Sequence, residues 1–273
     1  MSDVSRTARS ALAILGVVLV MALSSPVTAT THAGVNAVPT EDTATLAREL
    51  WEKALAAKGG RERLRKITNL YVAIDQGRGD RYWAFTVFPS YQFIYTYDAR
   101  REVTSLQVMN QKKGIAWWQI RENEAKARRF DESEAYQILE IQFRYLMVTH
   151  DLDPVPLRVR KEWVGLKRVS VIETDVKGWR VDYFLDPKTH LPLRVDMPIG
   201  KLYPVSHILT LDDYASVDGI MMPHKVTHSY KSVSRRGWTD RLKFEINAEY
   251  DPKVFEQPPT RKTAAEAWRA TKQ

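Results

Sequence analysis

Six histidines are the first place to look for chemistry, and two of them, His224 and His228, stand four residues apart, as metal ligands on a helix do. Their neighbours (Ile220, Met221, Met222, Pro223, Val226, Thr227) read as strand. On a strand, at a rise of ~3.3 Å per residue, the pair would lie ~13 Å apart, too far to share an ion, so no metal site is expected. The remaining histidines are isolated in the sequence. Asp212-Asp213 and Asp151/Asp153 are paired carboxylates, but strand neighbours point to opposite faces and the second pair flanks a proline-rich turn. Solvated loop and strand-end positions are the simpler reading of both. No G-x-S-x-G elbow, no H-E-x-x-H and no phosphate loop occurs. The absence of cysteine excludes disulfides, thiolate zinc sites, cysteine nucleophiles and a lipid-modified N-terminal cysteine. No catalytic residue and no cofactor is assigned. An enzyme would have to assemble its acid and base across strands, where they leave no linear motif.

What the chain does supply is apolar and aromatic surface, with 12 Tyr and 8 Trp in 273 residues and 44% hydrophobic content. Such surface suits a lipid. A buried methylene is worth ~0.8 kcal/mol, so a sixteen-carbon acyl chain costs roughly 12 kcal/mol to expose, and a shaped apolar cavity must offset most of that. The competing reading is that the same aromatics fill a core. Trp83, Phe85, Phe93, Tyr95, Trp118 and Tyr183 are the candidate cavity lining, taken from strand faces, with Ile138, Leu139 and Leu146 as a lid.

These residues need elements to position them. Leu46, Leu50, Trp51, Ala54 and Leu55 recur at helical spacing until Gly59-Gly60, and Arg61 to Ile67 suits a short second helix. From Asn69 the period falls to two. Residues 81–88, 91–98, 102–110 and 114–120 read as strands, with Pro89-Ser90 as a hairpin turn and Gly77-Arg78-Gly79-Asp80 as another. A further helix starts near Asp131, where Asp131 and Glu134 form a capping-box pattern. Its apolar residues (Ala135, Ile138, Leu139, Leu146, with Tyr136, Ile141, Tyr145, Val148) cover much of its circumference, as in a helix buried on two sides, or in a core helix on one sheet. Strands then resume. Trp179, Val181, Tyr183 and Leu185 share one face, as do Leu191, Leu193, Val195 and Met197, and Leu242, Phe244, Ile246 and Ala248. About eleven strands with one apolar face accumulate twist and curl toward a barrel with room inside.

The N-terminus reads as an address. Arg6 and Arg9 precede the apolar run Ala11 to Leu23, and Val27-Thr28-Ala29 offers a cleavage point, so 1–29 is a secretory signal peptide or, if uncleaved, a short anchor. Residues 30–41 follow as a linker, 42–258 as the domain and 259–273 as a basic tail. Export directs the formal charge of +8 away from nucleic acid. The clusters Arg61/Arg63/Arg65/Lys66 and Lys126/Arg128/Arg129 then serve as solvated surface, or attract anionic headgroups.

Four stretches resemble periplasmic lipoprotein-sorting domains of the LolA/LolB type. They are Leu55-Ala56-Ala57-Lys58-Gly59-Gly60 through Leu64 and Ile67; Tyr183-Phe184-Leu185-Asp186-Pro187 with Thr189, Leu191, Pro192, Leu193 and Arg194; Asp213-Tyr214 with Val217-Asp218-Gly219-Ile220 and Pro223; and Asn247 with Asp251-Pro252 and Phe255. The resemblance spans about residues 45–258 and implies an unclosed, strongly curved antiparallel β-barrel, mainly β with α, whose helices cap a cavity. It implies periplasmic carriage of the acyl chains of lipids or lipoproteins, with inner- and outer-membrane envelope proteins as partners. The region 81–130 matches only in pattern, so no functional residue is carried over. A lipid-sensing regulator of the same fold, or a cavity enzyme acting on a lipid, are the alternatives.

Overall fold

The computed structural model describes residues 41–77, 81–97, 103–120, 124–198, 206–231 and 237–256. The expected signal peptide, the linker up to residue 40, the basic tail and most of the Gly77–Asp80 turn lie outside them.

Helix α1 (Glu41–Lys58) stops where expected. Gly59 and Gly60 take φ of 129° and 93°, and the Gly60 amide returns to the Leu55 carbonyl at 2.8 Å. Glycine is required at 59 for a second reason. A Cβ there would come within 2.5 Å of the Gly219 carbonyl oxygen, so this helix end abuts a hairpin turn directly. The short α2 (Arg61–Arg65) follows.

Six strands form the first meander: β1 (Asn69–Asp75), β2 (Arg81–Val87), β3 (Tyr91–Tyr97), β4 (Val103–Asn110), β5 (Ile115–Ile120) and β6 (Lys126–Arg129). Helix α3 (Glu132–Ile141) continues into one π turn (Gln142–Leu146). Seven strands make the second meander: β7 (Val155–Val164), β8 (Lys167–Val176), β9 (Trp179–Leu185), β10 (Pro192–Pro198), β11 (Ser206–Val217), β12 (Ile220–Tyr230) and β13 (Trp238–Ile246). A 3-10 turn (Pro252–Phe255) ends the described chain. All pairings are antiparallel, in the order β6-β5-β4-β3-β2-β1-β13-β12-β11-β10-β9-β8-β7. The seam is β1 against β13, and β6 and β7 are free edges, so the sheet is unclosed. Thirteen strands replace the expected eleven or so. Edge strands β6 (KARR) and β7 (VPLRVRKEWV) carry no clean period-two pattern because β6 is exposed throughout and β7 is only partly covered.

The sheet curls around α3. The Tyr136 ring lies 4.5 Å from that of Trp179 on β9, while Ile138, two residues on, packs with Met109 of β4 and Ala116 of β5. In a flat sheet β5 and β9 would be roughly 43 Å apart at ~4.8 Å per strand. Only strong curvature lets one helical turn touch both. The inner face is one continuous core contributed by α1, α3, the π turn and strands from both meanders. The outer face of β2–β5 has its own apolar layer, where Phe255 stacks on Phe85 and Tyr91 and joins Phe93, Val108 and Trp117.

One expected face assignment is corrected. Leu193 packs outward with Val169, Val171 and Phe184, whereas Val195 and Met197 point inward. A register shift between Pro192 and Arg194 inserts an extra residue, and this bulge breaks the alternation.

Candidate functional site

The concave face is occupied by a plug, residues 132–146. Its start is fixed locally: Asp131 accepts from the Ser133 amide at 2.7 Å, and Glu134 accepts from the Asp131 amide at 3.0 Å, the expected capping box. Buried Glu134 also pairs with Arg128, whose guanidinium lies 4.6 Å from the Trp118 ring. The other end is mostly apolar. Phe143, Tyr145 and Leu146 are buried, Tyr145 meets Phe244 edge-on at 5.2 Å, and the Phe143 carbonyl accepts from the Tyr183 hydroxyl at 3.1 Å. Tyr183 in turn touches Trp51 of α1 at 5.0 Å. The π turn widens the helix at this point and is closed by Met147 at φ 67°.

Within this apolar setting lies a buried ionic chain. Arg144, from the π turn, pairs with Glu140 one turn earlier and reaches His207 Nδ1 of β11 at 3.1 Å. His207 Nε2 lies 2.9 Å from His228 Nδ1 of β12, and His228 Nε2 lies 2.9 Å from Asp240 of β13. Tyr82 of β2 donates to Asp240 at 3.5 Å. Trp238 stacks on His228 at 4.6 Å and Tyr230 on His207 at 4.8 Å. Burial pushes His207 down to about 4, with Glu140 only partly restoring it, and burial likewise lowers His228 against the pull of Asp240. Both rings are therefore neutral at pH 7, which sets one direction of donation: Arg144 to His207 Nδ1 and His207 Nε2–H to His228 Nδ1, leaving the protonated His228 Nε2 2.9 Å from the Asp240 carboxylate. Burial alone would raise the Glu140 carboxyl, but the neighbouring Arg144 guanidinium holds it at about 2. The chain thus fastens a helical plug to three strands. Among the described residues no group of three His, Asp or Glu is placed to hold a metal ion.

A second buried charge sits at the end of α1. Lys58 is 1% exposed, with its Nζ against the Met221 carbonyl and 5.5 Å from the centre of the Tyr214 ring. Burial lowers its amine to about 7.

The candidate lining residues divide between two faces. Ile138, Leu139, Leu146 and Tyr183 meet in or against the inner core, and Trp118 shares its face with inward Ala116. Phe85 and Phe93 belong instead to the outer layer under the 250–255 segment, and Trp83, alternating with inward Tyr82 and Ala84, shares that outer face. Tyr95 stands opposite Trp83 in register. Trp83, Phe85 and Phe93 therefore do not join Tyr183 in one lining. The basic clusters are largely engaged internally: Arg61 with Glu52 and Asp153, Arg65 with Asp153, Arg63 with the Gly219 carbonyl, and Arg128 with Glu134.

The histidines read as isolated are not all so. His224 and His228 do lie on a strand, and the pair that meets is His207 with His228. The signal was available in the Asp218-Gly219 turn. With Val217 opposite Ile220, counting back sets His207 opposite Tyr230, one diagonal step from His228. The Glu140/Arg144 spacing also carried a signal, an i,i+4 ion pair inside an apolar helix.

No family model and no curated protein matches the chain. Among solved structures it is similar to a LolA superfamily protein from Nitrosomonas europaea, with 12% identity and a TM-score of 0.47 over 77% of this chain and 97% of that one. It is similar to a DUF1329 family protein from Desulfovibrio piger, with 14% identity and a TM-score of 0.46 over 77% and 97%. It is also similar to an outer membrane lipoprotein-sorting protein domain from Vibrio parahaemolyticus, with 14% identity and a TM-score of 0.42 over 79% and 96%. No residue role passes from these proteins to this chain.

Proposed function

We propose that this protein is a non-enzymatic periplasmic carrier that shelters the acyl chains of lipids or lipoproteins for outer-membrane sorting, held here in its closed form. The observation that carries the reading is the plug. A short, largely apolar segment fills the inside of an unclosed, curled sheet and is held there by side-chain ties, the buried ionic chain, the Glu134–Arg128 pair and the Tyr183–Phe143 hydrogen bond, instead of by continuity with the sheet. An acyl chain takes the place of 132–146, so its contact surface is the inner face, with Tyr183 and Trp118, and the lid is Ile138, Leu139 and Leu146. Delivery requires a membrane or an envelope protein to cover the apolar surface exposed when the lid swings out. The motifs similar to lipoprotein-sorting domains point the same way.

The test is native mass spectrometry of protein recovered from the periplasm. A bound lipid is expected in the parent protein. Leu139→Glu, which sets a charge against the inner core, should lose that lipid while export is unchanged. Retention of the lipid in this variant would remove the lid assignment. The Asp240–His228–His207 chain favours one rival, a lipid-processing enzyme, because such a chain can move a proton. It ends, however, on Arg144 and Glu140 of the lid and on no exposed nucleophile. Turnover of the bound lipid, lost in His228→Asn, would establish the rival.

A further inference from the structure

Hairpin turns in this sheet differ in chemistry. Lys177-Gly178 joins β8 to β9 and Asp218-Gly219 joins β11 to β12, with positive φ at all four residues, the polar-plus-glycine pattern that strand twist favours. Gly165-Leu166 joins β7 to β8 with φ 59° at Gly165. The turn explains the glycine, and nothing in it calls for leucine. Leu166 is 98% exposed and Trp163 67% exposed, the two largest values among the exposed large hydrophobics of the described residues. Lys161 shares the Trp163 face of β7, and Arg168 stands opposite Trp163. Lys161, Lys167 and Arg168 are all exposed. Lys161 donates to Ser170 at 2.6 Å and Lys167 pairs with Asp186 at 3.0 Å, while Glu162, the acid within this tip, pairs with Arg160 at 2.6 Å.

We infer that the β7–β8 hairpin tip docks on the surface of an anionic lipid bilayer, with Leu166 and Trp163 entering the interface and Lys161, Lys167 and Arg168 facing the headgroups. Tryptophan at a water–hydrocarbon boundary with lysine and arginine beside it matches the layered chemistry of such a surface. A protein partner fits less well. Stable protein interfaces bury about 800 Å² per side, and a turn tip presenting two projecting side chains offers no such area. A bilayer accepts single side chains without a complementary groove. The inference rests on the tip alone and holds whether or not the inner face carries an acyl chain.

The experiment uses the full chain with phosphatidylglycerol/phosphatidylethanolamine vesicles, with phosphatidylcholine vesicles as the comparison, and reads partitioning by co-sedimentation. Every variant keeps the same N-terminus, so differences report the tip. Leu166→Ser should weaken partitioning at least tenfold, and Lys167→Gln with Arg168→Gln should abolish the preference for phosphatidylglycerol. Bromine-labelled acyl chains should quench the parent protein more than Trp163→Phe, which keeps an apolar ring but removes this fluorophore. Unchanged partitioning of Leu166→Ser, or equal quenching of parent and Trp163→Phe, would overturn the inference, as would a lipid-free dimer that Leu166→Ser dissociates. Leu166→Ser and Trp163→Phe change exposed side chains, so melting temperature should not move, while Lys167→Gln removes the Asp186 partner and is read by headgroup preference with its melting temperature measured alongside. Co-purifying lipid should persist in Leu166→Ser, which separates this result from the fate of the carrier reading.

Discussion

Lys58 is the side chain whose burial has least compensation. Its neighbours are a carbonyl, a thioether and an aromatic ring, with no carboxylate among its hydrogen-bond partners. Its amine falls from 10.5 to about 7 in the folded chain. The unfolded state therefore binds more protons between these values, and stability rises with pH across that window. Below about pH 7 the cost of the buried charge is fully present. Lys58→Met keeps the length and removes the charge, so it should stabilise the protein by about 1–3 kcal/mol at neutral pH and flatten the slope from pH 7 to 10. Urea denaturation at several pH values measures both. Arg144 behaves in the opposite sense. Arg144→Met strands Glu140 and should cost about 3–5 kcal/mol, whereas adding Glu140→Gln should recover part of that loss, because the second change removes the unpaired charge. Additive losses in the same denaturation experiment would mean that the two do not act as a pair.

At the scale of elements, the proposed lid is a helix whose fastening titrates. His207 falls from 6.5 to about 4 in the closed form, and His228 is lowered too. The groups facing them are Glu140 and Arg144 from the lid, Asp240 from β13, Tyr230 from β12 and Tyr82 from β2. Neutral rings favour closure, so this stabilisation is complete above about pH 6.5 and is lost as pH falls toward 4. The Glu140 contribution, with its carboxyl at about 2, is retained above about pH 4.5 and lost below that. Hydrogen exchange of amides 136–146, corrected for intrinsic rates, should show protection declining between pH 6.5 and 4 while the β1–β13 seam stays protected. His207→Asn with His228→Asn should blunt that decline. Much of this element was legible beforehand. The capping box at Asp131 and the wide apolar circumference of 135–148 both follow from residue type and spacing. The ionic fastening was legible only in pieces: the Asp218-Gly219 turn sets His207 diagonal to His228 and Glu140 is spaced to pair with Arg144, but nothing local brings Asp240 or the lid to the histidines. The same limit applies to the aromatics. Alternation shows that Phe85 and Phe93 point to one side of their strands, but not that this side is convex. That depends on Phe255, far along the chain, covering them.

For the whole molecule, the proposed carrier function becomes an exchange between two ways of filling the same curl. Closed, the sheet buries Tyr136, Ile138, Ile141, Phe143, Tyr145 and Leu146 of the plug, with Leu139 partly covered. At about 1.5–3 kcal/mol per fully buried side chain, removing the plug costs on the order of 10–20 kcal/mol, against roughly 12 kcal/mol recovered by one sixteen-carbon chain. A single acyl chain sits at the margin of that balance, and shorter chains fall below it. Two chains on one headgroup supply about twice the compensation and exceed the cost. The curled sheet should therefore discriminate by hydrocarbon content. Diacyl and triacyl lipids are expected to open the plug and to strip protection from amides 136–146. Fatty acids of about twelve carbons or fewer should leave the closed form unchanged at the same concentration. Native mass spectrometry across a series of chain lengths, with hydrogen exchange on the same samples, gives both readouts. Equal occupancy by short single chains with the plug still protected would mean that ligands bind elsewhere than on the inner face. The ionic fastening adds to the cost side, so Arg144→Met should shift the length threshold toward shorter chains.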